Sequence, residues 1–146
     1  MDDVGDLDLI KKLKTKFLEY PQTTLGIDKV LYINTQKGMA SARYIADKSM
    51  CHSGGIVQGG FVTGWIDAIM ALACSAKCGA DVLALTLEIK INFLSTAKMG
   101  EIISTANIIK NTKSIAFAEG KLEDTNGNLI ATGSSTIKLK YNFYKY

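Results

Sequence analysis

One segment limits what this chain can fold into more than any other. From Gly59 to Lys77 the residues are mostly Gly, Ala, Val, Ile, Met, Leu and Trp. The run is too long for a strand and has no polar face, so it predicts a helix buried on all sides. It is also too short for a comfortable crossing of a bilayer, which takes about 20 apolar residues. Such a helix needs cover all round, and the rest of the chain must supply it. Small residues at Gly60, Gly64, Ala68 and Ala71 let backbone or a ligand approach it closely.

The cover is strand. Leu85, Leu87, Ile89, Ile91 and Phe93 alternate with Thr86, Glu88, Lys90 and Asn92, a period-2 pattern that places the apolar set on one face. Glu101 to Lys110, Ser114 to Glu123 and Leu129 to Leu139 continue in β-rich composition, and Asn126-Gly127-Asn128 marks the last turn. Upstream, Gly26 to Asn34 and Ala40 to Ala46 are two shorter strands joined across Gln36-Lys37-Gly38. Leu9, Ile10, Leu13, Phe17 and Leu18 share one helical face, predicting a lid or packing helix from Asp6 to Tyr20 that Pro21 ends. Asp6 or Asp8 suits the positive end of that helix. The expected architecture is α+β, one antiparallel sheet curling around a central helix. Residues 1–24 form a helical extension and residues 25–146 the domain proper. The tail 140–146 mixes aromatic and basic residues and reads as an exposed end or an oligomer contact.

The 146 residues suit a single core, and 47% hydrophobic against 21% charged residues argues against disorder. The 17 basic and 14 acidic side chains leave only +3, spread along the chain without the basic stripe of a nucleic-acid surface. Met1 to Asp8 is acidic where a signal peptide carries its basic region. Three cysteines, Cys51, Cys74 and Cys78, cannot all pair within one chain. These features set the expectation of a cytoplasmic protein without a membrane span.

Asp67 is the residue most in need of explanation. Its neighbours from Gly64 to Leu72 all favour burial, where a carboxylate is costly without partners. It is either functional, or a charge on an exposed edge of the helix or a cap on a local backbone group. His52, the single histidine, precedes a glycine-rich turn that feeds the same helix. Amides at Gln58, Gly59 and Gly60 lie at the helix start, where unpaired N–H groups and the macrodipole favour an oxyanion. The glycines form neither a dinucleotide fingerprint nor a phosphate loop. Cys51 beside His52 lacks a cysteine-protease setting. Cys74 and Cys78, one turn apart, suit packing better than zinc.

The segment His52-Ser53-Gly54-Gly55-Ile56-Val57-Gln58-Gly59-Gly60, followed by Asp67 in an apolar helix, resembles the signature of hot-dog acyl-CoA thioesterases of the phenylacetate-pathway type. The likeness continues through Thr86 to Gly100, then Lys113, then Asp124 to Gly133, and spans roughly residues 25 to 139. It implies hydrolysis of an acyl-CoA to free acid and coenzyme A, which enters as substrate, with no separate cofactor and no metal. Asp67 matches the helix carboxylate that activates water or attacks the carbonyl. Gly59 matches the glycine whose N–H polarises that carbonyl. Gln58 stands where many relatives have His, and His52 where they commonly have Asn. An amide at 58 can donate or position substrate but cannot supply imidazole chemistry. Thr86 matches a hydroxyl near the attacking water. Lys113, with Arg43 and Lys98 behind it, resembles the basic positions that meet coenzyme A phosphates. The resemblance also implies a homodimer or homotetramer, with sites shared between subunits. A non-catalytic acyl-CoA binding or regulatory protein and a hot-dog hydratase or dehydratase are the competing expectations.

Overall fold

The buried helix, α2, runs Gly59–Cys78, and a sheet wraps it. The computed structural model describes residues 1–143. Trp65, Ile66, Ile69 and Met70 are wholly shielded from solvent. The Trp65 indole packs 5.9 Å from the Tyr44 ring and its Nε1 donates to the Leu25 carbonyl at 2.7 Å, so the one polar atom of this large side chain is satisfied. At 20 residues the helix reaches the length of a membrane span, longer than the sequence pattern suggested. Half of its most apolar stretch is buried within the chain.

Six antiparallel strands supply that cover: β1 (Ile27–Asn34), β2 (Met39–Ala46), β3 (Leu83–Phe93), β4 (Gly100–Asn111), β5 (Ile115–Asp124) and β6 (Leu129–Lys140). They lie in the order β1-β2-β4-β5-β6-β3. The helix therefore connects a strand near one edge to the strand at the opposite edge. Glycine lets the sheet approach α2 closely. A Cβ on Gly133 would stand 2.8 Å from Ile66 Cγ2 and 2.9 Å from Ile91 Cδ1.

Edge strand β3 departs from the simple alternation its sequence suggests. Thr86 pairs with Ile137, but Glu88 pairs with Thr136, so Leu87 is an extra residue on this side of the ladder. A bulge of this kind reverses side-chain parity. Before it, Ala84 and Thr86 lie opposite the buried Leu139 and Ile137; after it, Ile89 and Ile91 take over the inner face, while Phe93 at the strand end is exposed. Leu85 and Leu87, expected on the apolar face with Ile89, are instead 40% and 57% exposed.

The N-terminal helix α1 spans Leu7–Lys16 and ends earlier than its apolar spacing predicts. Asp6 caps it by accepting from the Leu9 amide at 3.0 Å. Phe17 closes the last turn and turns into the core with Ile10 and Leu13. Leu18 stays exposed, and the chain continues to Gly26 through hydrogen-bonded turns, with Pro21 beyond the helix end. At the other end of the chain the Lys140 ammonium lies 5.6 Å over the Phe143 ring. Residues 144–146 of the expected oligomer-contact tail lie outside the described residues.

Candidate active site on the central helix

Asp67 is the one charged residue on the body of α2 before its final turn. It lies partly buried between Ile66 and Ala68. Its partner comes from β3: Thr86 Oγ1 donates to Asp67 Oδ1 at 2.7 Å. The bulge at Leu87 makes this contact possible, because uninterrupted alternation would turn residue 86 away from the helix if Ile89 still faced inward. A carboxylate held through one oxygen keeps the second available to accept a proton or meet a carbon centre.

The helix start is built by Gln58, a capping role that glutamine does not advertise in sequence. Its side-chain Oε1 accepts from the Gly60 amide at 2.7 Å, and its carbonyl accepts from the Phe61 amide at 3.0 Å. Gln58 is otherwise solvent-exposed. The Gly59 N–H, the first of the helix, has no acceptor within it. The Phe93 ring lies 3.3 Å from where a Cβ on Gly59 would stand, so glycine lets the backbone and the aromatic approach closely.

The preceding loop is fixed by backbone bonds from the Val57 amide to the Ala97 carbonyl at 2.8 Å and from the Gln58 amide to the Met50 carbonyl at 2.9 Å. Gly54 and Gly55 take φ of 74° and 71°, a region that favours glycine. His52 is exposed on this loop, its amide donating to the Ile56 carbonyl at 2.9 Å. Lys98 is exposed beside the same loop, where it bridges to Ile56.

The structure thus brings Asp67 to Thr86 and Gly59 to Gln58, but it separates the two pairs. Gly59 and Asp67 are eight residues apart on one helix, a rise of about 12 Å. Lys113 is exposed in the turn between β4 and β5, at the Thr86 end of the sheet, away from Lys98. The Arg43 guanidinium is engaged by Asp28 at 2.6 Å and by Glu101 at 3.9 Å. Cys74 and Cys78 lie at the far end of α2 from His52, which removes the zinc arrangement considered from sequence. Cys78 is nevertheless distinctive: hydrogen bonds from the Cys74 and Tyr141 side chains and the nearby Lys77 charge bring its thiol down to about 7. The same contact and burial push Cys74 up.

A curved sheet closed around one helix, with a carboxylate midway along it and a glycine turn at its start, defines a hot-dog protein. Residues 54–131 match the Thioesterase superfamily. The chain is 34% identical to acyl-coenzyme A thioesterase 13 of Mus musculus over 122 residues, covering 78% of this chain and 85% of the mouse protein. A thioesterase of Haemophilus influenzae shares the fold with a TM-score of 0.80 at 17% identity, over 94% of each chain. The PaaI protein from the phenylacetic acid degradation operon of E. coli does so with a TM-score of 0.77 at 18% identity, over 89% of this chain and 94% of its own. This chain belongs to the Thioesterase superfamily.

Proposed function

We propose that this protein hydrolyses acyl-CoA thioesters, and the observation that carries the reading is the Asp67 carboxylate held by Thr86 on the buried helix. Family membership and the named activity of the mouse relative support the same reaction. The free oxygen of Asp67 either takes a proton from water as that water attacks the thioester carbonyl, or attacks the carbonyl itself. The carbonyl oxygen gains negative charge, which a helix-start N–H stabilises. In the first route the carbon–sulfur bond then breaks, the sulfur takes the proton from Asp67, and coenzyme A and the free acid leave together; in the second, bond breaking releases the thiolate, which is protonated from solvent, and leaves the acyl group on Asp67 as an anhydride that water hydrolyses to the free acid, restoring the carboxylate.

The oxyanion donor comes from a second copy of the chain. Gly59 and Asp67 of one helix, about 12 Å apart, cannot both reach a carbonyl group that needs contacts of about 3 Å. Edge strand β3 supports a dimer: it is 11 residues long and exposes Leu85, Leu87 and Phe93, which an unpaired edge normally avoids. Gln58 Nε2 donates to the substrate near the Gly59 turn, and His52 lines its outer side. Lys98 and Lys113 supply positive charge for the coenzyme A phosphates. Free thiols at Cys51, Cys74 and Cys78 suit a reducing compartment.

The test is thiol release from a panel of acyl-CoAs by the unaltered protein and by Asp67→Asn. Turnover that drops by about a hundredfold or more in Asp67→Asn is the expected result. No turnover on any acyl-CoA, or equal turnover by both proteins, overturns the proposal and favours a binding role.

A further inference from the structure

A groove of about 260 Å³ lies between the N-terminal segment and α2. Its floor is Ala68, Ala71 and Ser75 of the central helix, its wall Ala84 of β3, and its roof Phe17 and Tyr20, with Lys16, Glu19 and Gln22 lining the N-terminal side as well. The position is telling. Residues 67, 71 and 75 recur every turn on one helix face, so the groove, whose floor starts at Ala68 beside the reactive carboxylate, runs along the same side of the helix. The bulge that turns Thr86 toward Asp67 also places Ala84 on the inner side of β3. One edge of the sheet therefore builds both the carboxylate clamp and the groove wall. Larger side chains at 68, 71 and 75 would fill this space, and the helix carries Ala, Ala and Ser there.

We propose that this groove receives the acyl chain of the substrate and selects medium-length linear acyl groups, with the N-terminal segment as its roof. The inference rests on acyl-CoA hydrolysis at Asp67. Allowing about 30 Å³ per carbon, close to the room a water molecule takes in liquid, the groove holds about eight or nine carbons. Each methylene moved from water into it raises kcat/KM about fourfold, until the groove is full. The extension of residues 1–24 is then part of the substrate site and not only packing.

The experiment is kcat/KM against acyl length, from acetyl-CoA to palmitoyl-CoA, for the unaltered protein, Ala71→Leu, Ser75→Leu and Tyr20→Ser. The unaltered protein is expected to rise steeply with length and level off near eight to ten carbons. Ala71→Leu blocks the groove close to Asp67 and moves the break to the shortest chains. Ser75→Leu lies about 6 Å farther along the helix, about four to five carbons at roughly 1.3 Å per carbon for bonds of about 1.5 Å. Its break therefore falls between the other two. Tyr20 is 84% exposed, so Tyr20→Ser keeps the fold and uncovers the roof, lowering the gain on the longest acyl groups severalfold. A profile flat with length in the unaltered protein overturns the proposal, as does a break that stays in place in every variant, provided thioester hydrolysis dependent on Asp67 is present. Absence of hydrolysis at every length instead overturns the reading of the site beneath it.

Discussion

Thr86→Val removes one hydroxyl and keeps the side chain's shape, so it isolates the contact that positions Asp67. The hydroxyl donates to Oδ1 at 2.7 Å, and a hydrogen bond to a charged group is worth about 1.5–3 kcal/mol. At about 1.36 kcal/mol per tenfold in rate, its loss is expected to lower kcat roughly 10- to 150-fold. The reasoning is that an unclamped carboxylate spends less time aimed at the carbonyl or its water. Folding is expected to be affected far less, because water screens the bond in the free chain, whereas bound substrate would exclude that water and let the bond count in full. Thr86 is solvent-exposed in the single chain, and a surface change of this size shifts stability by about 0.5 kcal/mol or less. The assay is steady-state thiol release at several substrate concentrations, with thermal unfolding of both proteins alongside. The expected pattern is a fall in kcat, little change in KM, and near-complete rescue in Thr86→Ser. If kcat of Thr86→Val stays within twofold of the parent while Asp67→Asn is inactive, Thr86 does not position the carboxylate.

Gly133→Ala pushes a methyl group to 2.8 Å from Ile66 and 2.9 Å from Ile91, and overpacking of this kind costs about 1–3 kcal/mol; chemical denaturation should show the loss, and an unchanged midpoint would contradict the close sheet–helix approach. Gln58→Ala removes the acceptor of the Gly60 amide and should lower stability by about 1 kcal/mol, with a fall in kcat/KM from the lost Nε2 donor; equal stability and activity would deny Gln58 both roles. Hydrogen bonds from Cys74 and Tyr141 and the Lys77 charge hold the Cys78 thiol below its ordinary value, at about 7, so its thiolate fraction, and its alkylation by iodoacetamide, should climb as pH rises through about 7. Peptide mapping should find Cys74 unmodified under the same conditions, because it is fully buried and shifted the opposite way; a Cys78 midpoint near 9 would contradict the Cys74, Tyr141 and Lys77 contacts.

What was legible in the sequence follows from which signals are local. The Gly59–Cys78 helix and the four long strands declare themselves by composition and period, and Asp67 stands out because a charge in that run is costly. The bulge at Leu87 does not, because alternation of Leu, Thr, Leu, Glu and Ile fits an unbroken strand equally well. Its presence depends on pairing with β6, a partner more than forty residues away in the chain. The capping by Gln58 was hidden for a related reason: glutamine is not a usual cap, and only the path of the loop brings Oε1 back to the Gly60 amide. Arg43 looked available because sequence cannot place Asp28 and Glu101 on the strands either side of it.

Sequence also cannot separate an apolar side chain meant for the core from one meant for another subunit. Leu85 and Leu87 carry the same signal as Ile89, yet the bulge turns the first two outward in a single chain and the last inward. That division has a chemical consequence. One parity change turns Thr86 to the carboxylate, gives Ala84 to the groove wall, and leaves apolar surface on an open edge. The proposed dimer follows from the same change, since covering that edge would bring a second Gly59 turn toward a carboxylate that its own helix start cannot reach. Deleting Leu87 would then restore uninterrupted alternation and turn either Thr86 away from α2 or Ile89 away from the core. Dimerisation and turnover should fail together in that variant, whereas Thr86→Val should lose turnover alone. Sedimentation of the two proteins beside their kinetics distinguishes these outcomes, and a Leu87 deletion that stays dimeric and active would break the link between the bulge, the edge and the site.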